Sequence, residues 1–483
     1  MKRNDVKQLR MHIYTIEDLM PKEHFLRDLD ALVDFDFIYE KVADLYSKTG
    51  RGSIDPVVII KMLLIGYLYG IESERQIEKE IHVNIAYRWF LRMDFDDAVP
   101  DHSTISQIRR RKFKDANLFE EIFDEVVRQC IEAGLVDGKL LLTDSTHVKA
   151  NVRENLREKI TVNDEPSDYM KKLEELAIQD GLIKGTNKNK PKDGDKTKEV
   201  SKSITDPDCG LLSRPGKPSG FHYLSYETVD GESGIITDVY VTPANHKDST
   251  NYAERIKYQI NKFGFETKEV GADAGFDSGE IHSEMLSMGI KTYITEAIHA
   301  NQFSSEDRYG KSDFIYDSSN DYFICPNNCV LKFTHYEKIW GAKVYRAASK
   351  NCKVCPLKEK CCTGKRKAVS RAYHQNEIDI QRKNNETARY NEIMKLRQIW
   401  CEGNFSHQKA RHCLTRAKMW GIEKMREQCL MSSCALNLKR LVKRLKRTRK
   451  SASPSLETGV FENIFRAKAK FFYAYIKMTS LAA

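Results

Sequence analysis

The spacing of apolar positions changes period several times along the chain, and each change marks an element. Between 55 and 113 the period is helical. Val57 to Ile71 forms a fifteen-residue apolar run interrupted by Lys61, short of the roughly 20 residues that cross a bilayer. Ser73-Glu74-Arg75-Gln76 reads as a capping box opening the next helix, and Asp101-His102-Ser103-Thr104 reads as an N-cap before 105 to 113. A further helix is expected over 116 to 133. After Gly138 the pattern becomes that of a sheet: Lys139-Leu140-Leu141-Leu142-Thr143-Asp144 predicts a buried strand that ends in a carboxylate. Residues 221 to 229 and 235 to 241, rich in β-branched and aromatic side chains, predict a hairpin around Asp230-Gly231-Glu232. A helix (251 to 263), a strand (267 to 272), a helix (278 to 288) and a strand (291 to 294) follow. Long helices are expected over 376 to 420 and 422 to 447, the latter stopped by Pro454.

Two stretches break this rhythm. Residues 153 to 205 are crowded with Lys, Glu, Asp and Asn, and predict a solvated insertion or disordered loop. Residues 300 to 375 are polar and cysteine-bearing, with a β-rich pattern. The organisation predicted is a helical domain over 1–115, an α/β core over 116–450 carrying the 153–205 and 300–375 insertions, and an amphipathic tail helix over 451–483. At 483 residues and 41% hydrophobic positions there is ample material for packed cores.

Charge adds a partner class. The formal charge is +10, a moderate excess that favours polyanions. It is concentrated: residues 439 to 450, KRLVKRLKRTRK, hold eight basic residues and no acidic one. Lys439, Arg440, Lys443 and Arg444 are therefore candidate phosphate contacts, as are Arg109, Arg110 and Arg111 in the helical head. The head reads either as a helix-turn-helix-like DNA-binding unit or as a bundle with a solvated basic face. The N-terminus shows no secretory pattern, and with no membrane span expected the chain is placed in a reducing cytoplasm. Twelve cysteines are too sparse for a disulfide scaffold, yet six fall between 325 and 362. Cys325 (or Cys329), Cys352, Cys355 and Cys361 supply enough thiolates for a closed structural zinc site; unmetallated thiols are the alternative.

Candidate chemistry rests on carboxylates. Asp144, in LLLTDSTHVKAN, and Asp273, in VGADAGFDS, each close an apolar strand, where open sheets build sites. Either one alone also fits a turn cap. Asp277 is expected to cap the helix that follows it. In RQIWCEGNFSHQK, Glu402, Phe405 and Lys409 share one face of an ideal helix, whereas Arg397, five residues before Glu402, points away from it.

The order of these parts, with DPVVIIKMLLIGYLYG, PDHSTISQIRRR, VTPANHKDS and CALNLKRLV, resembles the RNase-H-like core of DDE transposases encoded by bacterial insertion sequences. The resemblance implies that Asp144, Asp273 and Glu402 are the catalytic triad and hold Mg²⁺ (or Mn²⁺), with Arg397 and Lys409 near the phosphates of the cut strand. It also implies double-stranded DNA, both element ends and target, as partner. A homodimer in the DNA complex is expected on the ground that two ends are paired. Met394 stands where related chains carry a tyrosine, and the Arg397 to Glu402 gap is one residue longer than usual. The cysteine-bearing insertion before the glutamate fits the same group. The rival readings are a DNA-binding protein with a decayed triad, and a metal-dependent nuclease that does not join strands.

Overall fold

The protein is described by a computed structural model covering residues 13–46, 53–113, 117–163, 168–183, 197–213, 219–247, 249, 251–297 and 308–451. The expected tail helix, and most of the low-complexity stretch from 185, lie outside these residues. The chain divides into two compact units: 1–136 with 407–413 and 430–483, and 137–406 with 414–429. The helix Leu118–Glu132 thus groups with the helical unit, although the sequence pattern places the boundary near 115.

In the helical unit, helix Pro56–Tyr69 is apolar all round, the signature of a buried core helix. Lys61 lies inside that core. Its ammonium donates to Asp30 Oδ1 at 2.9 Å and to the Phe90 carbonyl at 3.2 Å, between the rings of Phe35 and Phe90. A buried ammonium is tolerated because two acceptors and two ring faces surround it. Among the described residues no single helix is long and apolar enough to cross a membrane. Gly70, at φ +73°, ends the helix, and helix Glu74–Val83 leaves at 96° after a four-residue break. That corner has helix-turn-helix dimensions. However, the second helix carries three glutamates against two basic residues, Arg75 and Lys79, which disfavours a phosphate backbone. Asp101 caps helix His102–Arg111 through the Ser103 N–H at 2.7 Å, as the sequence predicts. The capping box at Ser73 does not form: Ser73 occupies the N-cap without a side-chain bond, and Gln76 donates to Glu80 instead.

The second unit is built on a mixed sheet. Strand β1 (Leu140–Lys149) is followed by a two-stranded ribbon of β2 (Arg157–Asn163) and β3 (Thr197–Ser203), then β4 (Gly210–Leu212), β5 (Gly220–Asp230), β6 (Ile236–Pro243), β7 (Glu269–Ala272) and β8 (Lys291–Ile294). Strand β5 lies antiparallel between β1 on one side and β4 and β6 on the other; β7 and β8 continue parallel beyond β1. A three-strand meander extended by two parallel strands is the RNase-H-like order, and the expected hairpin forms its β5–β6 arm. Asp230 fixes that arm: Oδ1 accepts the N–H groups of Glu232 and Ser233 across the turn, and Oδ2 accepts Gly138 N–H at the entry to β1.

The described residues of the polar stretch 153–205 form regular elements that its composition does not predict. It holds the β2–β3 ribbon and helix Asp168–Gln179, because cross-strand pairs such as Ile160 with Val200 supply local partners. The cysteine-bearing stretch forms a separate five-stranded antiparallel sheet of β9 (Ile315–Asp317), β10 (Tyr322–Ile324), β11 (Val330–Glu337), β12 (Ala342–Ala347) and β13 (Ala368–Ala372). Its core is small: Phe314, Phe323, Leu331, Tyr345, Ala347 and Val369, with Cys325, Cys352 and Cys361 packed around them. The expected continuous helix after 376 is broken into Gln375–Arg382, a 3₁₀ turn, Ala388–Arg397, a π-helical turn Gln398–Glu402, and Gly403–Arg411. Helix Ile422–Ser451 follows.

Candidate active site

Asp144 does not end its strand as the apolar run predicts. β1 continues to Lys149 because β5 stays paired with it throughout. What ends nearby is β7, whose parallel pairing runs Leu140 with Glu269 to Leu142 with Gly271. Extending that register by two residues sets Asp144 beside Asp273, on the same sheet face. Asp273 accepts the Gly275 N–H at 2.9 Å, so one oxygen caps the 3₁₀ turn Ala274–Phe276. Asp144 Oδ1 accepts Ser145 N–H at 2.8 Å.

Helix Ala388–Arg397 crosses this face over Gly271. A Cβ at Gly271 would stand 2.6 Å from Ile393 Cγ2 and 2.8 Å from Leu142 Cδ2, so only a glycine admits the helix this close. The π turn that follows is pinned to the sheet at three points. Trp400 Nε1 donates to the Gly231 carbonyl at 3.0 Å, Cys401 Sγ lies 3.7 Å from the Leu142 carbonyl, and Asn404 Nδ2 donates to Gly234 at 3.2 Å. The consequence reverses the ideal-helix expectation for Arg397. One extra residue per turn brings positions five apart onto one side, and Arg397 Nη2 donates to Glu402 Oε1 at 3.3 Å while Nη1 donates to Asp144 Oδ2 at 2.7 Å. Asp144 and Glu402 thereby share one guanidinium, with Asp273 beside Asp144 in the extended β1–β7 register; Asp144 is buried and Glu402 exposed. The sequence pattern did not single out Gly271, Trp400, Cys401 or Asn404. Nor did it single out Glu227, which is 1% exposed and directly opposite Asp144 in the β1–β5 register. Every residue of β5 is buried, so no alternation along the strand points to it.

Burial pushes the Asp144 carboxyl up to about 6, helped by the neighbouring Asp273 and Glu402 and opposed by Arg397 and the Ser145 N–H. The folded protein then holds a proton between the unfolded value of 3.8 and about 6 that the unfolded chain has lost. Stability from this group falls as pH rises through that window and stays low above it. In protein without divalent ions, Asp144→Asn is therefore expected to be more stable than wild type at pH 8, by about 1–3 kcal/mol, with the difference gone at pH 4. Urea unfolding at the two pH values measures this, and parallel curves for both proteins contradict it.

Asp277 is not the expected helix cap. Ser278 takes that place, accepting Ile281 N–H, while the Asp277 carboxylate is turned inward and held by His282 Nε2 at 2.9 Å, Arg382 Nη2 at 2.9 Å and Ala297 N–H at 2.8 Å. The distant partners Arg382 and Ala297 are invisible to local sequence. Of the candidate phosphate contacts, Arg110, Arg111, Lys443 and Arg444 are exposed and Arg440 and Lys409 half-buried. Arg109 is a correction: it is buried in an ion pair with Glu74, because its helical position faces the unit's interior. Lys439 is half-buried, its ammonium donating to the Leu68 carbonyl at 2.7 Å.

Among the described residues one group of three metal-type ligand atoms lies within 4.8 Å: Glu78, Asp101 and His102. Capping explains it, since Asp101 holds the helix end and His102 bridges Glu78 and Arg75. Asp144, Asp273 and Glu402 are not gathered that closely as a set, and neither are the thiols. The thiols nevertheless interact: burial, reinforced by Cys325 and Cys355, pushes the Cys329 thiol up, and burial, reinforced by Cys325 and Cys352, does the same to Cys361.

The strand order defines a class: an RNase-H-like core that carries Asp144, Asp273 and Glu402, oxygen donors of the kind hard divalent cations select. Comparison with known families narrows it. Residues 14–111 match a family described as a transposase domain, and residues 324–442 match a transposase DDE domain. The chain thus carries the two domains of a DDE transposase. Among solved structures it is similar to a piggyBac transposase synaptic complex with hairpin DNA, at 11% identity and TM-score 0.34 over 91% of this chain and 84% of that one. It is also similar to the Mos1 transposase paired-end complex with left transposon end, at 11% identity and TM-score 0.16 over 75% and 83%.

Proposed function

We propose that Asp144, Asp273 and Glu402 hold Mg²⁺, or Mn²⁺ in its place, and that the enzyme nicks the ends of its own element and joins the freed 3′-OH to target DNA. The observation that carries this reading is the β1–β7 register, which sets two carboxylates side by side, with Arg397 tying the third to them. Divalent ions there would supply an activated water and stabilise the leaving oxygen. The chain's own residues orient: the π turn and its three sheet contacts fix Glu402, and Ser145 and Gly275 N–H groups fix the two aspartates. Arg110, Arg111, Lys443 and Arg444 would contact phosphates without reading sequence, a term that weakens steeply with salt. Two ends brought together make a homodimer the expected assembly on DNA.

The test incubates the full chain with Mg²⁺ and duplexes carrying the sequences that flank its gene. Nicked ends and joined products are expected. Nicks without joined products would identify a nuclease, and binding without nicks would identify a DNA-binding protein.

Cys325, Cys352, Cys355 and Cys361 are proposed to hold structural zinc. Six buried side chains make a weak core for a five-stranded module, and small cores need staples. Purified protein is expected to carry about one zinc per chain. Cys352→Ser should lose it and become protease-sensitive between 308 and 372; full zinc in that variant contradicts the assignment.

A further inference from the structure

Arg397 makes contacts that a phosphate-binding arginine does not need. Its guanidinium grips Asp144 Oδ2 at 2.7 Å and Glu402 Oε1 at 3.3 Å. It is 16% exposed and Asp144 11%, so the ion pair is largely desolvated. In an α-helix five residues turn through 500°, which would leave Arg397 about 140° from Glu402. Only the π turn Gln398–Glu402 puts them together, and π turns recur at functional sites. A rigid fork spanning two carboxylates fixes both. The fork is also incompletely used, because Nε is buried with no hydrogen-bond partner. That leaves donor capacity for a tetrahedral oxyanion, which an arginine recognises through paired N–H groups.

We propose that Arg397 is a displaceable cation: it holds Asp144 and Glu402 as a pair, competes with the divalent ion for their oxygens, and releases them when a DNA phosphate takes the guanidinium. This rests on the reading of Asp144, Asp273 and Glu402 as metal ligands. Arg397 is then a positioning residue that sets the metal concentration at which the site loads. It also couples metal loading to DNA, and by linkage DNA affinity rises with metal by the same factor. Two opposed effects follow from removing it. Losing the clamp frees the exposed Glu402 side chain, an entropic cost to metal binding. Losing the charge removes repulsion between a guanidinium and a doubly charged ion about 5 Å away, which at an effective dielectric of about 20 is the larger effect.

Mn²⁺ titrations of the full chain, with free ion counted by electron paramagnetic resonance, test this without using activity. Arg397→Met is expected to bind Mn²⁺ at least roughly tenfold more tightly than wild type. Arg397→Lys, which keeps the charge, should stay near wild type. A blunt DNA duplex should tighten Mn²⁺ binding more in wild type than in Arg397→Met. Asp273→Asn separates the two levels of the argument. If it binds Mn²⁺ like wild type, the carboxylate reading fails and this inference goes with it. If it loses Mn²⁺ while Arg397→Met binds no more tightly than wild type, the displaceable-cation role alone is overturned.

Discussion

Asp273→Ala is expected to lower Mg²⁺-dependent DNA cleavage by about 10³-fold or more, with melting temperature, and DNA affinity measured without divalent ions, close to wild type. The size follows from what a ligand carboxylate does: metal stabilisation of the developing charge supplies several kcal/mol, and each 1.36 kcal/mol is tenfold in rate. The structural cost is small by comparison. Asp273 is half-buried and caps a single 3₁₀ turn through the Gly275 N–H at 2.9 Å, and losing such a cap costs about 1 kcal/mol. Asp273→Asn keeps a carbonyl oxygen for that N–H and removes only the charge, so it separates cap from ligand. Both variants should be equally inactive on end-labelled duplexes. Cleavage within tenfold of wild type in either would remove Asp273 from the site.

Gly271→Leu is expected to reduce the same activity by about 100-fold without unfolding the protein. The position lies two residues before Asp273 on β7, where the Ile393 and Leu142 side chains leave no room for a Cβ. The sheet is fixed by its ladder, so the helix Ala388–Arg397 must yield, carrying Arg397 and the π turn with it. Overpacking of this kind costs about 1–3 kcal/mol in stability. A displacement of about 1 Å at the reacting groups costs about 10²-fold in rate. Gly364→Ala, at a site with nothing within 4 Å, is the control and should match wild type. If Gly271→Leu also matches wild type, the helix is not held at the sheet by that glycine.

These two residues show what local sequence could and could not signal. Asp273 was legible because an apolar strand running into a short acid is a one-dimensional pattern. Gly271 was not, since its role depends on a helix more than a hundred residues downstream. The same division runs through the charged residues. The Asp101 cap needs only a neighbour two positions away and was predicted correctly. The burial of Lys61 beside Asp30, the pairing of Arg109 with Glu74, and the binding of Asp277 by Arg382 depend on partners far off in the chain. A charge run reads as solvated until its partner is known.

By itself the sequence determined most strands and helices of the head and of the main sheet, their order, and which acids stand at the ends of apolar runs, because hydrophobic period and capping chemistry act over a few residues; it missed the ribbon and helix within 153–205 and the breaks in the helix after 375. Only the tertiary structure decided that Asp144 and Asp273 are neighbours, since that needs the β1–β7 register. Likewise it decided that Arg397 faces Glu402, because the helix gains one residue in a turn where Trp400, Cys401 and Asn404 bind the sheet. A helix's local geometry is set by its side-chain pattern only until packing against a fixed partner makes a wider turn the lower-energy one.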